Sequence, residues 1–313
     1  MAERLRESVL EMKSLLSVCG KDVRVMGTLL RIAQLEGDGY EFLETPEPIL
    51  AGLRRAGVRI DLFTFLQKLP ESRVKYPYAM EWDNLAALPV TTFEDWWKHQ
   101  IRPEARNRAR QAEKNGVVIR EVPFGDALVK GIWEIYNECP IRQGRRFPHY
   151  GKDIKTVCAE AATFLDSSHF IGAFLHDKLI GFVKLTTDET RTQANLMNIL
   201  SLVKYRHIAP TNALIAYSVR MCAEKRISYL VYQRFSYGKK RADGLTRFKE
   251  VNGFRKFDLP RYYVSLTLRG RIAYRLGLHH RFVDRFPGPV ATSLRDLRNS
   301  WYSRNTLLAK KPV

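Results

Sequence analysis

The sequence predicts an α/β protein with a mixed central sheet and flanking helices, preceded by a smaller α/β lobe. Three observations carry this prediction. From Val117 onward, stretches with apolar residues at three-and-four spacing alternate with short apolar-rich runs, in the order strand, two helices, three strands, helix, strand, helix, strand. The run Gln193–Leu202 is almost continuously apolar in its second half, as in a central strand covered on both faces. The 313 residues suffice for two cores, and the 19 Gly and 14 Pro form no repeat or low-complexity tract.

Taken in order, residues 4–18 read as a short amphipathic helix. Val23–Ala33 and Tyr40–Glu44 read as strands, with the turn at Gly37, Asp38 and Gly39. A helix at 48–56 ends at Gly57, and Arg59–Phe65 is apolar enough for a buried strand. Lys68–Val90 holds Pro70, Pro77 and Pro89 without a clear period and reads as a connection laid over the first lobe. Thr91 or Thr92 caps a helix that begins FEDWW, with Glu94 and Asp95 in its first turn. After Pro103 a second helix carries Arg106, Arg110 and Lys114 in register with Arg102. Steps of four advance only ~40° around a helix axis, so these charges form one slowly winding stripe, the pattern of an anion channel or of a solvated face.

Asn115-Gly116 ends that helix, and Val117–Val122 is a strand. Leu128, Ile132, Ile135 and Tyr136 mark one core-facing helix; Ile154, Val157, Cys158, Ala161 and Leu165 mark the next. His169–His176 and Lys178–Thr187 form a hairpin. Pro210 suits the first position of a helix that presents Leu214, Tyr217, Met221 and Cys222 and runs to Arg226. Ser228–Phe235 is a strand, Ala242–Val251 a short helix and Arg255–Leu266 the last strand. The chain thus divides into a small lobe (1–90), the main α/β domain (91–268) and a basic helical tail (269–313).

The charge is strongly positive and uneven. There are 52 Lys and Arg against 33 Asp and Glu, for a net +19; residues 1–90 carry −1, while 91–254 and 255–313 carry +10 each. Such a field attracts nucleotide phosphates, nucleic acid or an anionic membrane face. No apolar run approaches the roughly 18 residues of a membrane span, and the start lacks the pattern of a secretory signal. Cys19, Cys139, Cys158 and Cys222 form no CxxC pair, which speaks against a zinc ribbon or a disulfide framework and for a reducing, cytoplasmic setting. HExxH, GxSxG, GxxxxGK[ST] and GxGxxG are all absent, so metalloprotease, hydrolase, P-loop and dinucleotide readings lose their usual support, and no metal is expected.

The element order resembles the GNAT N-acyltransferase fold, and the closing run Leu245-Thr246-Arg247-Phe248-Lys249-Glu250-Val251-Asn252-Gly253-Phe254 resembles its helix-to-strand signature. The Arg-Phe-Lys followed by Gly-Phe is closer still to the FemABX-like branch, the aminoacyltransferases of peptidoglycan bridge synthesis. Phe93–Val117 is similar to that branch as well, with a Trp-rich start, a basic helix and a Gly-Val strand. The resemblance covers about half the chain, from Thr91 to Leu266. The first 90 residues match loosely and are short for the second GNAT lobe of FemABX proteins, which leaves a degenerate lobe as their reading.

The resemblance implies acyl transfer by amine attack, with the donor lying between two splayed strands. A loop at the next helix, here Val203–Thr211, would then meet the donor's pyrophosphate with backbone N–H groups. Arg206, Ala209 and Thr211 stand where the family has Arg or Gln, Gly, and Gly or Ala. Ala209 restricts the backbone and Pro210 removes a donor, leaving Lys204, Arg206 and His207 to add side-chain contacts. The carbonyl would be polarised by backbone of Ile199, Leu200 and Ser201, with Thr211 and Asn212 at the helix start. Lys249 replaces the Tyr acid of GNAT enzymes and is expected to stabilise transition-state charge, with Phe248 packed beside it.

The region between the first two helices, which contacts the acceptor in GNAT proteins, offers Arg142, Arg145, Arg146, His149 and Tyr150, flanked by Glu138 and Asp153. Tyr232, Arg234 and Tyr237 fall on or just after the second splayed strand. The donor is expected to be acyl-CoA, with no permanently bound cofactor, and the acceptor a small-molecule or lipid-linked amine. Two readings compete: transfer from aminoacyl-tRNA to a cell-wall precursor, with tRNA as partner, and a non-catalytic protein that binds RNA or an anionic membrane. The arginines and interleaved apolar residues after Gly270 suit peripheral contact with the inner face of the membrane, and packing on the first lobe equally.

Overall fold

The computed structural model describes residues 14–142, 145–236 and 244–280. Ala86–Lys256 form one unit; the residues before them, together with the segment from Phe257, form another. The start of the expected N-terminal helix, Tyr237 and the tail beyond His280 lie outside the described residues.

In the Ala86–Lys256 unit the strand order is β5-β12-β11-β10-β9-β6, using β5 (Ala79–Pro89), β6 (Val118–Val122), β9 (Ser168–Leu175), β10 (Lys178–Thr187), β11 (Gln193–Ser201) and β12 (Tyr229–Arg234). β6, β9, β10 and β11 pair antiparallel, while β11 and β12 run parallel. A further two-stranded ribbon joins β7 (Ile141–Arg142) to β8 (Arg145–Arg146). The order expected from Val117 onward is the order observed. The sheet is covered by α4 (Asp126–Asn137), α5 (Ile154–Ala161) and α6 (Pro210–Glu224), preceded by α3 (Pro103–Lys114). Their buried stripes, among them Leu128, Ile132 and Ile135 of α4 and Leu214, Ile215 and Val219 of α6, meet Phe182, Val183, Leu185, Ala194 and Leu196 in one core. The FEDWW segment departs from the simple helix expected. Thr92 does cap it, accepting from the Asp95 N–H, but α2 (Phe93–Asp95) passes into a π-helical turn at Trp96–Gln100 that buries Trp96.

β10 carries a fully buried lysine that the sequence reading did not single out. Lys184 Nζ donates to the carbonyls of Ala161 and Thr163 and to Thr163 Oγ1, which pins the end of α5 onto the sheet. Burial lowers its pKa from 10.5 to about 8. The folded protein therefore binds fewer protons than the unfolded chain between those values, so its stability rises with pH across pH 8–10.5 and the penalty is fully present below about 8. Unfolding free energies at pH 7 and pH 10 should show this rise, on the order of 2–3 kcal/mol. Lys184→Met should lack it; an unchanged pH response in the variant would remove Lys184 as its source.

The other unit has the order β1-β2-β3-β4-β13-β5, with β1 (Ser14–Val18), β2 (Lys21–Met26), β3 (Ile32–Leu35), β4 (Leu62–Leu66) and β13 (Arg255–Ser265). Three expectations are corrected here. Ser14–Val18 is a strand rather than the end of a helix: Cys19 (φ 50°) and Gly20 (φ 74°) make a two-residue hairpin turn into β2, whose positive φ at both positions matches strand twist. Tyr40–Glu44 forms turns with a single bridge, Asp38 to Glu41, instead of a strand. The supposed connection before Val90 contains the eleven-residue strand β5.

α1 (Glu47–Arg55) links β3 to the parallel β4 and buries Ile49, Leu50 and Leu53 against Val23, Val25, Leu35, Phe63 and Phe65. Tyr262 of β13 sits in this core, its hydroxyl donating to Gln67 Oε1 (2.6 Å) and accepting from the Lys75 N–H (2.8 Å). Arg261 spans two carboxylates: Nη1 and Nη2 reach Asp38 (3.2 and 3.0 Å) and Nε reaches Asp83 (2.9 Å).

α8 (Leu268–Arg275) follows, capped by Thr267. A Cβ on Gly270 would stand 1.9 Å from the Asp61 carbonyl oxygen, so this face must be glycine for the helix to lie so close, and Ala273 is buried on the same side. Leu268, Ile272 and Leu276 are 70, 51 and 66% exposed. Four-residue spacing places them in one stripe facing away from the packed side.

Candidate active site

The first element of the site is a gap in the sheet. β11 and β12 pair over only three residues, Gln193–Asn195 with Tyr229–Val231, although β11 continues to Ser201 and β12 to Arg234. Beyond that stretch β11 keeps its pairing with β10, through Asn198, Ile199, Leu200 and Ser201. The extra residue Met197, where the register shifts between Lys184 and Leu185, bulges the strand just where the two diverge. In an antiparallel pair alternate residues turn their backbone groups away from the partner. The free half of β11 therefore presents N–H and C=O groups to the gap beside its half-buried Met197–Leu200. This is where the sequence places the carbonyl-polarising backbone.

At the diverging end of β12 pack α7 (Gly244–Val251) and the turn after it. Phe254 N–H bonds to the Lys249 carbonyl (3.0 Å) and Gly253 N–H to that of Glu250 (3.0 Å), the paired bonds of a Schellman C-cap. Gly253 adopts φ +91°, and a Cβ there would crowd Leu88, Gln100 and Trp96 at 3.2–3.3 Å. The Gly-Phe pair is thus the stop signal of the helix that carries Lys249, a physical reason for that pair at that place. Asn252, fully buried, donates to the Phe248 carbonyl (2.7 Å), and its own carbonyl accepts from Trp96 Nε1 (2.9 Å).

Lys249 is 0% exposed. Its ammonium donates to the Arg234 carbonyl at the end of β12 and lies 4.7 Å from the centre of the Tyr232 ring. Tyr232 in turn meets Phe248 and Phe254 edge-on, at 6.4 and 5.7 Å. Four of the sequence candidates, Lys249, Phe248, Tyr232 and Arg234, are therefore one assembly at the diverging end of β12. Ser201, Thr211 and Asn212 form a second one. Ser201 Oγ and Thr211 Oγ1 share a hydrogen bond (3.2 Å) that ties the end of β11 to the start of α6, and Asn212 Nδ2 reaches Asn252 Oδ1 (3.4 Å), which links α6 back to α7.

The loop between them is a 3-10 turn, Val203–Ile208, closed by Ala209 at φ 56°. A left-handed position of this kind favours Gly, and here the bend is made with Ala. Arg206 and His207 turn their carbonyls to Arg108, and His207 also to Gln111, both on α3. Val203 and Lys204 give their N–H groups to the Glu138 carboxylate, and Lys204 Nζ lies 5.3 Å from the Tyr205 ring centre.

Of the residues assigned to the acceptor, Arg142 is buried, bonded to the carbonyls of Ser201 (2.8 Å) and Ile135, and stacked on Phe147. It supports the strand end from behind, with burial lowering its pKa first of all. Arg145 and Arg146 are exposed on β8, and Tyr150 is exposed in the following turn. His149 is half-buried, its ring 4.4 Å from that of Tyr136, its Nδ1 3.2 Å from Lys152 Nζ and 3.7 Å from Glu160. Burial and then the Lys152 charge lower its pKa, which favours the neutral imidazole. Arg108, Gln111, Trp96 and Asn252 were not foreseen: the first three reach backbone carbonyls far away in sequence, and Asn252 supplies one of those carbonyls.

No protein-family model matches the chain, and no curated protein does. Solved structures do. FemX aligns with a TM-score of 0.57 at 10% identity, over 82% of this chain and 86% of that one. L-PGS from Bacillus licheniformis gives 0.54 at 14%, over 87% and 91%. The C-terminal domain assigned to a lysylphosphatidylglycerol synthetase of Agrobacterium fabrum gives 0.55 at 12%, over 88% and 95%.

Proposed function

We propose that this chain, which has the GNAT acyltransferase fold in its FemX-like form, is an N-acyltransferase that moves an acyl group from acyl-CoA to an amine. The observation that supports this best is the gap between β11 and β12, with the α6 N-terminus tied to the end of β11 and Lys249 bonded to the end of β12. A thioester seated there would accept the amine lone pair at its carbonyl carbon. The new C–N bond forms as the oxygen becomes an oxyanion, which the β11 backbone and the Lys249 charge would stabilise. The C–S bond then breaks, and the proton lost by the amine neutralises the departing thiolate. His149, the histidine on the acceptor-side loop, has its pKa lowered by burial and would be available to take part in that transfer.

Titration calorimetry with acetyl-CoA at low and moderate salt tests the donor. Saturable one-to-one binding that largely survives the added salt is the expected result, since one CoA carries few phosphates compared with a nucleic acid. Absence of binding would overturn the CoA donor and turn attention to aminoacyl-tRNA.

The acceptor we infer is lipid-linked. Leu268, Ile272 and Leu276 form an outward apolar stripe, and Arg269, Arg271 and Arg275 share the helix with them, an arrangement suited to an anionic bilayer surface. No described helix is long and apolar enough to cross a membrane. Sedimentation with phosphatidylglycerol-containing vesicles should capture the protein, and neutral phosphatidylcholine vesicles should capture far less. Replacing the three apolar residues with Gln should weaken capture by roughly tenfold or more. Equal capture of the variant would remove the stripe as a membrane contact.

A further inference from the structure

The geometry points to a binding site for a divalent transition-metal cation of the zinc type, held by Glu81, His279 and His280. Glu81 lies on β5, and the two histidines lie in the turn after α8. One ligand atom from each residue falls within 4.8 Å of the others. Both imidazoles converge on a single carboxylate oxygen: Glu81 Oε1 stands 2.8 Å from His279 Nε2 and 3.2 Å from His280 Nε2. In a tetrahedral zinc site with bonds near 2.0–2.1 Å, neighbouring ligand atoms sit about 3.3 Å apart. The two distances to the carboxylate lie close to that spacing, while the three ligand atoms as a set span up to 4.8 Å, so a cation entering between them would draw the two imidazoles together as it replaced hydrogen bonds by coordinate bonds.

The surroundings favour a fixed site. The His279 side chain is 2% exposed. Its ring stacks on Tyr274 at 4.8 Å with an interplanar angle of 22° and packs against Tyr263 at 4.7 Å. Tyr274 itself donates from its hydroxyl to the Met80 carbonyl, next to Glu81. Such outer contacts fix the orientation of a ligating imidazole. His280 is more open, which gives the ion an entry path and leaves room for water at a further coordination position. Two nitrogens and one carboxylate oxygen suit Zn²⁺ better than the oxygen-seeking Ca²⁺ or Mg²⁺. Binding requires the Nε2 lone pairs, so each imidazole must be neutral with its proton on Nδ1, and acid weakens the site. The ion would fasten the turn after α8 to β5 within one unit, apart from the proposed transfer chemistry.

The test uses the full chain, stripped with a chelator and then titrated with Zn²⁺ in a non-coordinating buffer. One-to-one saturable binding and a higher melting temperature with Zn²⁺ are expected. Glu81→Gln and His280→Ala should each lower the affinity about tenfold or more, while the melting temperature of the metal-free protein stays close to that of the parent. No saturable binding would overturn the assignment. So would binding that both variants leave unchanged, because the ion would then be held elsewhere.

Discussion

Replacing Lys249 with Met is expected to slow acyl transfer by about 10²–10³-fold, the usual effect of removing one preorganised group that meets developing oxyanion charge. The effect should fall on kcat, with KM for the donor little changed, because the ammonium is asked to interact with charge that exists only in the transition state. The alternative is that Lys249 is purely structural: it is buried, donates to the Arg234 carbonyl and sits over Tyr232. In that case the variant would lose stability while the surviving folded protein kept its turnover. Steady-state kinetics beside a thermal melt separate the two outcomes. Met keeps the length and apolar stem of the side chain, so the cavity left behind is small.

The second large effect is expected in the other unit. Arg261→Met should destabilise the fold by about 3–5 kcal/mol, since it strips the cation from two carboxylates that remain beside an apolar side chain. Burial alone would lower the Arg261 pKa, but the Asp38 and Asp83 charges outweigh it and raise the pKa overall, so the guanidinium stays charged at every relevant pH. Adding Asp38→Asn and Asp83→Asn to the same protein should recover much of the loss, because the uncompensated charge then disappears with the cation. Urea unfolding of the parent, the single variant and the triple variant measures this directly. A triple variant no better than the single one would mean that packing, not charge, dominates at this site.

Legibility in the sequence followed the kind of interaction that fixes each element. From Val117 onward the strands and helices are set by local apolar periodicity, and there the expected order and the observed order agree. β5 escaped because its two halves lie in different surroundings: Ala79–Asn84 are exposed or half-buried and mix apolar with polar residues, Leu85–Leu88 are buried, and no single period spans both. The strand at Ser14–Val18 escaped because SLLSV also fits a helix; the Cys19-Gly20 turn after it was the signal that separated the two. In the candidate site, the helix that carries Lys249 and Phe248 was legible through the Gly253-Phe254 stop signal, which acts within a few residues. Arg108, Gln111 and Trp96 bind backbone groups roughly a hundred residues or more away, 156 residues from Trp96 to the Asn252 carbonyl, and no local pattern marks such a contact.

The pairing of β13 with β4 sets an order of events for the growing polypeptide. β4 leaves the ribosome early, and the strand that covers its open edge arrives only after the whole Ala86–Lys256 unit has been made. Until then Phe63 and Phe65 lack Tyr262, and β4 offers an unpaired row of backbone groups to any neighbour. Assembly of the first unit thus waits until β13 has been made, while the second has all its strands in hand sooner. Slow, late-closing contacts of this kind lengthen the exposure of an apolar edge. Until β13 arrives, that edge of the N-terminal segment stays open to aggregation, while the gap between β11 and β12 closes within the Ala86–Lys256 unit.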